Sequence, residues 1–250
     1  MEEKNLEPVS NVLTRTGMTK NSPRQTSNLS VTTQDETYNC RICHDFQFVN
    51  PSKTDGTIDY SRVVPCLCVR DKADRDKAKR LLSWCELPPA SENMTFEKFR
   101  TSQGNQDAYN RALLVASNTL KWLTIASGPN AGKTHLAVSI CRAWLGKGKS
   151  ARYAYVPLLL EELRRGYQNG GNGSYDERFD MFLNVPLLVL DDLGTENKTP
   201  WAQEKLDTIV DYRLMHDLSL VVTTNLTLPE LPLRIASRLQ RTGEIVTIKR

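Results

Sequence analysis

The chain has 250 residues, a formal net charge of +4 and 39% apolar residues, which is ordinary for a globular protein. No stretch approaches the roughly 20 apolar residues of a membrane span, and the N-terminus lacks the apolar core of a signal peptide. We therefore expect a cytoplasmic protein without a membrane partner. Six cysteines without an export signal favour metal binding or packing over disulfides.

Composition divides the chain into three predicted segments. Residues 1–37 are rich in Asn, Ser, Thr and Gln and poor in apolar residues, which predicts a largely disordered tail. Residues 38–90 hold a group of four cysteines before residue 70 and a run of mixed charge at 70–80, which predicts a small zinc module followed by a charged linker helix. Pro88 and Pro89 interrupt this pattern, and residues 91–250 are expected to form a separate α/β domain.

The four cysteines form a Cys-x-x-Cys pair and a Cys-x-Cys pair that lie 22 residues apart: Cys40, Cys43, Cys66 and Cys68. A Cys-x-x-Cys turn brings two thiolates to adjacent corners of a tetrahedron, and four soft ligands favour Zn²⁺. His44 is an alternative to one ligand of the less common second pair. Buried free cysteines and a redox pair are the other interpretations. Cys85 and Cys141 lie in apolar patterns and are expected to be packing residues.

From about residue 95 the apolar pattern alternates between helix and strand. Helices are predicted at 107–117, 134–145, 158–165, 175–183, 200–215 and 233–241, and strands at 120–126, 151–156, 185–190, 218–224 and 244–249. Strands separated by helices imply a parallel sheet with both faces covered. One face of the helix at 200–215 is expected to meet the core, with Ala202, Leu206, Ile209, Val210 and Arg213.

A phosphate-binding loop is predicted between the first strand of this region and the helix after it. It consists of Ser127, Gly128, Pro129, Asn130, Ala131, Gly132, Lys133 and Thr134, followed by His135. Backbone N–H groups and the helix N-terminus favour phosphate there, Lys133 can reach the β- and γ-phosphates of ATP, and the Thr134 hydroxyl can hold Mg²⁺. The strict spacing would place a glycine at Ser127, whereas this chain has Gly128 instead.

Carboxylates end the apolar strand at 185–190. In a parallel sheet this end faces the same crevice as the phosphate loop. Asp191 is expected to hold Mg²⁺, directly or through water, and Asp192 to act as the general base. Asn225, after the next strand, is expected to orient the attacking water, with a loop-capping role as the alternative.

The helix at 233–241 carries two arginines four residues apart, Arg234 and Arg238. One of them is a candidate arginine finger that would stabilise charge on a neighbouring subunit's nucleotide. The alternative is a surface arginine on a solvated helix.

Five short motifs follow one another along the chain, at residues 132–137 (GKTHLA), 190–196 (LDDLGTE), 201–206 (WAQEKL), 223–226 (TTNL) and 237–239 (SRL). Together they resemble the motifs of the DnaC/DnaI-type bacterial helicase loaders and of the related IstB-type transposition helpers. The resemblance covers residue 95 to the C-terminus. It implies a P-loop AAA+ core, ATP and Mg²⁺ as cofactors, and ATP-dependent homo-oligomers in which Arg238 would be the finger.

Two features of the resemblance bear on activity. Most AAA+ enzymes have Glu where this chain, like the loaders, has Asp192, whose side chain is one methylene shorter, so we predict slow hydrolysis. We expect no helical lid domain after this core, so the sensor arginine of such a lid is unassigned.

In these loaders a helical insertion after the second strand contacts single-stranded DNA. Residues 155–165 and 167–175 occupy that place, and Arg164, Arg165 and Tyr167 fit a backbone-plus-stacking mode of binding. An exposed amphipathic helix with a Gly-rich loop is the alternative.

Some loaders also carry a zinc module before the ATPase core, followed by a Leu-Pro and a Thr-Phe-x-x-Phe run, here at residues 87–88 and 95–99. IstB-type helpers generally lack the module, so we favour a loader that holds a DnaB-type replicative helicase through its N-terminal module and delivers it to single-stranded DNA. Phe96 and Phe99 would lie near the adenine or, in the favoured interpretation, pack in the core.

Other functions stay open. An IstB-type transposition helper would act with a transposase on duplex DNA. A zinc-stabilised DNA-binding protein would use its nucleotide site for regulation alone. A small-molecule kinase is disfavoured because no substrate-lid motif is evident.

Overall fold

A computed structural model of the chain describes residues 7–8, 38–168 and 174–249. These residues separate into two compact units, of which the first extends to Asp76 and the second starts at Lys77. The separation therefore falls inside a helix, and the domain boundary expected near residue 90 stays a prediction. In the described part of the chain, no helix is both long and apolar enough to cross a membrane.

The first unit contains a small antiparallel sheet in the order β1-β2-β3, formed by Glu7–Pro8, Phe48–Asn50 and Val64–Pro65. Its buried hydrophobic residues are Cys43, Val49 and Cys66. Within the predicted disordered tail, residues 7 and 8 form strand β1, and residues 1–6 and 9–37 lie outside the described residues.

Helix α1 (Leu67–Cys85) begins within the second cysteine pair and contains the predicted charged helix. Residues 70–80 are exposed on all sides. Such a helix has no apolar stripe to bury, so packing supports it only near its two ends.

The second unit alternates between helices and strands, as the sequence predicts. Its helices are α2 (Gln106–Ala116), α3 (Lys133–Gly146), α4 (Val156–Gln168), α5 (Ser174–Asn184), α6 (Pro200–Met215) and α7 (Leu233–Thr242). Its strands are β4 (Trp122–Ala126), β5 (Ala151–Tyr155), β6 (Leu187–Leu193), β7 (Ser219–Thr224) and β8 (Glu244–Thr247). Short 3₁₀ helices lie at Pro89–Ser91, Phe96–Lys98 and Leu228–Glu230.

All five strands of this unit pair in parallel, in the order β5-β6-β7-β4-β8. The buried side chains form two clusters, one with residues of α4, α5, α6 and α7 and one with residues of α2 and α3. Each cluster includes residues of the strands, so helices cover both faces of the sheet. The predicted fold class is confirmed.

Helix α6 shows how a local pattern selects the buried face. Thr199 caps it by accepting a hydrogen bond from the Ala202 amide at 3.2 Å, and Pro200 occupies its first turn. The five residues predicted to face the core are its buried residues. Arg213 is fully buried, and its guanidinium donates to the carbonyl oxygens of Phe182, Leu183, Val185, Pro186 and Ser219.

Candidate functional site

The predicted phosphate loop connects β4 to α3 at the carboxyl edge of the sheet. Asn130 and Gly132 have positive φ angles of 59° and 90°. A Cβ atom on Gly132 would lie 2.9 Å from Cε2 of Phe99, so both its backbone conformation and its surroundings require glycine. Helix α3 begins directly afterwards and presents the unpaired N–H groups of its first turn, which favour an anion.

Lys133 is almost fully buried at the start of α3, with 6% of its surface exposed. Its Nζ donates to the carbonyl oxygens of Ser127 at 2.8 Å and Gly128 at 2.9 Å, and to Oδ1 of Asn225 at 2.8 Å. These contacts hold the ammonium group inside the loop. An entering phosphate would offer it a charged acceptor, which forms a stronger hydrogen bond than a carbonyl oxygen.

Asp191 lies on β6 and is 3% exposed. Its carboxylate accepts from Oγ1 of Thr134 at 3.0 Å, from the hydroxyl of Tyr153 at 2.6 Å and from Oγ1 of Thr223 at 2.5 Å. The structure therefore brings together the two predicted Mg²⁺ ligands, Thr134 and Asp191. Hydroxyl and carboxylate oxygens are hard ligands of the kind that Mg²⁺ takes together with substrate phosphates, so the donor set fits this ion.

Asp192 has a different environment from its neighbour. Strand β6 runs through both aspartates with a register shift between Leu190 and Leu193, and Asp192 has a φ of 64°. Asp tolerates this conformation better than most residues. The sequence predicts that the strand ends before the aspartates. In the structure both aspartates belong to β6, at the end where its pairing with β7 is irregular.

Asn225 connects the Asp192 carboxylate to the loop lysine. Its Nδ2 donates to Oδ1 of Asp192 at 2.7 Å, while its Oδ1 accepts from Lys133. Burial raises the pKa of the Asp192 carboxyl, the charge of Asp191 raises it further, and Lys133 and Asn225 act in the opposite direction. A raised pKa suits a carboxylate that must accept a proton.

Tyr153 and Thr223 also belong to this site, a role that the sequence did not predict for either residue. Tyr153 lies on β5 and Thr223 on β7, the two neighbours of β6. Their partner becomes evident only when the strand order is known, because each contact joins residues more than 30 positions apart.

His135 and the two phenylalanines lie behind the loop. The His135 ring contacts the Thr95 carbonyl oxygen through Nε2 at 2.9 Å and meets Phe99 edge-on at 5.2 Å. Phe96 and Phe99 both contact the Tyr109 ring and are packed against the core of the α2 and α3 face. Core packing, the favoured interpretation, is confirmed for both phenylalanines.

Two of the arginines of α7 pair with one carboxylate. Arg234 Nη2 lies 2.7 Å from Oδ2 of Asp211, and Arg238 Nη2 lies 3.1 Å from the same oxygen. Arg238 Nε also contacts Asp211. The structure thus places Arg238 in an ion pair within its own subunit, and its role toward a neighbouring nucleotide stays a prediction.

The four predicted cysteine ligands meet in the first unit. The Sγ atoms of Cys40 and Cys66 are 3.8 Å apart, those of Cys43 and Cys68 are 3.6 Å apart, and all four lie within 4.8 Å of one another. A tetrahedron with Zn–S bonds of about 2.3 Å has S···S edges of about 3.8 Å, so the cluster fits Zn²⁺. His44, the alternative ligand, stacks on Tyr38 with ring centroids 4.5 Å apart.

Cys40 shows how the knuckle prepares a ligand. Backbone N–H groups of Cys43 and Ile42 lower the pKa of the Cys40 thiol to about 7. A thiolate is the form that binds a metal. Cys85 and Cys141 are fully buried in the second unit, and their predicted packing role is confirmed.

The predicted DNA-contacting segment is only partly described. The Arg164 guanidinium lies over the Trp201 ring at 5.4 Å from its centroid, and Arg165 pairs with Glu161. The side chain of Tyr167 and residues 169–173 lie outside the described residues. Arg164 and Arg165 border a cavity of about 530 Å³ together with residues 195–197.

A five-stranded parallel sheet with a lysine-bearing phosphate loop and a buried carboxylate at one edge defines a nucleotide-binding protein with the AAA+ fold. Residues 45–233 match the family described as IstB-like ATP binding protein. The chain belongs to this family, whose match covers more than half of its length.

Two replicative helicase loaders are similar in sequence. DnaC of Escherichia coli (strain K12) is 25% identical over 166 residues, which cover 65% of this chain and 67% of DnaC. DnaI of Bacillus subtilis (strain 168) is 29% identical over 101 residues, which cover 40% of this chain and 32% of DnaI. A crystal structure of the DnaC helicase loader matches with a TM-score of 0.58 and 25% identity, covering 65% of this chain and all of that one.

Proposed function

We propose that the chain is an ATP-hydrolysing helicase loader that delivers a DnaB-type replicative helicase to single-stranded DNA. The observation that carries the ATPase part is the contact between Thr134 and Asp191 at 3.0 Å, beside the buried Lys133. The similarity to DnaC and DnaI supports the loading part.

In this proposal Lys133 turns from its carbonyl acceptors and Asn225 to the β- and γ-phosphates of ATP. Residues 128–132 surround the phosphates, with backbone N–H groups from all of them except Pro129, and His135 lies behind the loop. Thr134 and Asp191 would hold Mg²⁺, which would neutralise charge on the phosphates. Lys133 and the N-terminus of α3 then provide fixed positive charge where negative charge develops.

Asp192 acts as the general base, and Asn225 orients the attacking water. Asn225 contacts both Lys133 and Asp192, so a phosphate that attracts Lys133 also frees the Asn225 carbonyl oxygen. We expect slow hydrolysis, below roughly the tens per second common to enzymes, because the Asp192 side chain is short.

Assembly and DNA contact complete the proposal. Arg238 is the finger of an ATP-dependent homo-oligomer, which requires it to leave Asp211 for the neighbouring nucleotide. Arg164, Arg165 and Tyr167 contact single-stranded DNA through its backbone and bases. The helicase is held by the N-terminal tail together with the zinc module and linker helix at residues 38–90. The activity is cytoplasmic, because the DNA and the helicase are there.

Nucleotide binding and hydrolysis test the ATPase. Lys133→Ala removes a charged donor worth about 1.5–3 kcal/mol, so the Kd for ATP is expected to rise about 10- to 100-fold. Asp192→Asn is expected to bind ATP with little change and to lose hydrolysis. A chain that binds no ATP, or a Lys133→Ala variant with the affinity of wild type, would contradict the proposed site.

A pull-down of the replicative helicase of the native host tests the loader. The full chain is expected to capture the helicase, and a chain without the first unit, residues 1–76, is expected not to capture it. Binding to a transposase and duplex DNA instead would favour the transposition helper. Unchanged DNA binding by Lys133→Ala, with and without ATP, would favour a regulatory nucleotide site.

A further inference from the structure

A tyrosine outside the recognised motifs contacts the central carboxylate of the nucleotide site. Tyr153 lies opposite Val189 in the parallel pairing of β5 with β6. Asp191 is two residues beyond Val189, so its side chain lies on the same face of the sheet as that of Tyr153. The phenol ring spans this diagonal, and its hydroxyl donates to Oδ2 of Asp191 at 2.6 Å.

Thr223 makes the matching contact from the other side of β6. It lies two residues beyond Val221, which pairs with Val189, so it belongs to the same face of the sheet. Its hydroxyl donates to Oδ1 of Asp191 at 2.5 Å and accepts from the Asp192 amide at 2.9 Å. The two carboxylate oxygens therefore each have their own hydroxyl donor from a neighbouring strand.

We infer that Tyr153 and Thr223 are positioning residues that hold the Asp191 carboxylate in the orientation needed to bind Mg²⁺ with the nucleotide. This inference rests on the proposed ATP site. The two hydroxyls are called the Asp191 clamp below.

The geometry favours positioning over simple satisfaction of a buried polar group. Thr134, the other predicted Mg²⁺ ligand, donates to Oδ2 of Asp191 at 3.0 Å. The Thr134 oxygen would be shared with the metal, whereas the two clamp hydroxyls come from neighbouring strands and would fix the carboxylate whether or not the ion is bound. Outer partners of this kind tune metal affinity by about 10- to 100-fold.

Tyr153 is fixed by its surroundings. It is 7% exposed and belongs to the core cluster beneath α3, so packing limits the movement of its ring.

The test measures binding of a non-hydrolysable ATP analogue as a function of Mg²⁺ concentration. Tyr153→Phe removes the donor, and the Mg²⁺ concentration at half-maximal binding is expected to rise about tenfold or more. Analogue affinity without Mg²⁺ is expected to stay within about twofold of wild type, since the phosphate loop is intact. Thr223→Val is expected to act in the same direction, and Thr223→Ser, which keeps the hydroxyl, to restore the wild-type response.

Tyr212→Phe is the matched control. Its hydroxyl also donates to a side-chain oxygen at 2.6 Å, but the acceptor is Asn184, on α5. Its Mg²⁺ response is expected to equal that of wild type. Thermal melting without nucleotide checks that each variant folds.

The outcomes separate the clamp from the proposed function. A Tyr153→Phe variant with the Mg²⁺ response of wild type overturns the clamp, as does one whose affinity falls equally with and without Mg²⁺, because that is a structural effect. If Tyr153→Phe does not fold, the Thr223→Val and Thr223→Ser pair decides, and equal responses overturn the clamp. A wild-type chain that binds no analogue at any Mg²⁺ concentration overturns the proposed function together with the clamp.

Discussion

Loss of one cysteine ligand is expected to weaken zinc binding by a factor that follows from the cluster's geometry. The S···S distances of 3.6 and 3.8 Å approach the edge of a Zn–S tetrahedron of about 3.8 Å, so four thiolates contribute with little distortion. Structural zinc sites have apparent binding free energies of about 10–16 kcal/mol, or about 2.5–4 kcal/mol per ligand. Cys43→Ser is therefore expected to reduce affinity about 10²- to 10³-fold.

Metal analysis and competition with a chromophoric chelator measure this effect. Purified wild-type protein is expected to contain one zinc ion per chain. The first unit is expected to lose structure when a chelator removes the zinc, since among the described residues the buried hydrophobic core of this unit consists only of Cys43, Val49 and Cys66. Cys141→Ala, in the core of the second unit, and His44→Ala are controls that leave zinc affinity unchanged. A wild-type chain without zinc, or a Cys43→Ser variant with unchanged affinity, would refute the reasoning.

Two further predictions concern folding stability. The pKa of Asp192 in the folded state lies above its unfolded value of about 3.8. The native state is therefore destabilised relative to the unfolded state as pH rises from the unfolded pKa through the folded pKa. Asp192→Asn is thus expected to raise the free energy of unfolding at pH 7, and this gain is expected to vanish below the pKa of the unfolded state. Urea unfolding at several pH values measures the gain, and a gain that does not depend on pH would contradict the prediction. Arg213→Met removes a buried donor to five carbonyl oxygens. If at least two of these carbonyl oxygens lose their charged donor, at about 1.5–3 kcal/mol each, the free energy of unfolding falls by about 3–6 kcal/mol. A decrease below about 1 kcal/mol, measured by urea unfolding, would show that water replaces the guanidinium.

The position of Arg213 illustrates the limit of a periodic pattern. The spacing of α6 correctly predicts that Arg213 shares a face with Leu206 and Ile209, and all three are buried. It does not predict what a buried guanidinium binds. The acceptors come from the end of α5, the start of β6 and the start of β7, which converge only in the folded sheet.

The site shows the same division between local and long-range information. Because the carboxyl ends of parallel strands meet at one edge of the sheet, the sequence alone predicts that the phosphate loop and the carboxylate of Asp191 face each other. In the structure Oγ1 of Thr134, at the end of the loop, lies 3.0 Å from Oδ2 of Asp191. The left-handed conformation of Asp192 was not predicted. It results from the register shift in the pairing of β6 with β7, and pairing is not encoded by the residues of one strand alone.

The sequence by itself determined the alternation of helices and strands, the phosphate loop and the family resemblance, since each depends on residues close together along the chain. The strand order β5-β6-β7-β4-β8 was decided by tertiary structure. This order places β5 and β7 beside β6, and so gives Asp191 the hydroxyls of Tyr153 and Thr223. Contacts of this kind depend on which strands become neighbours, and that choice is made by packing of the whole domain.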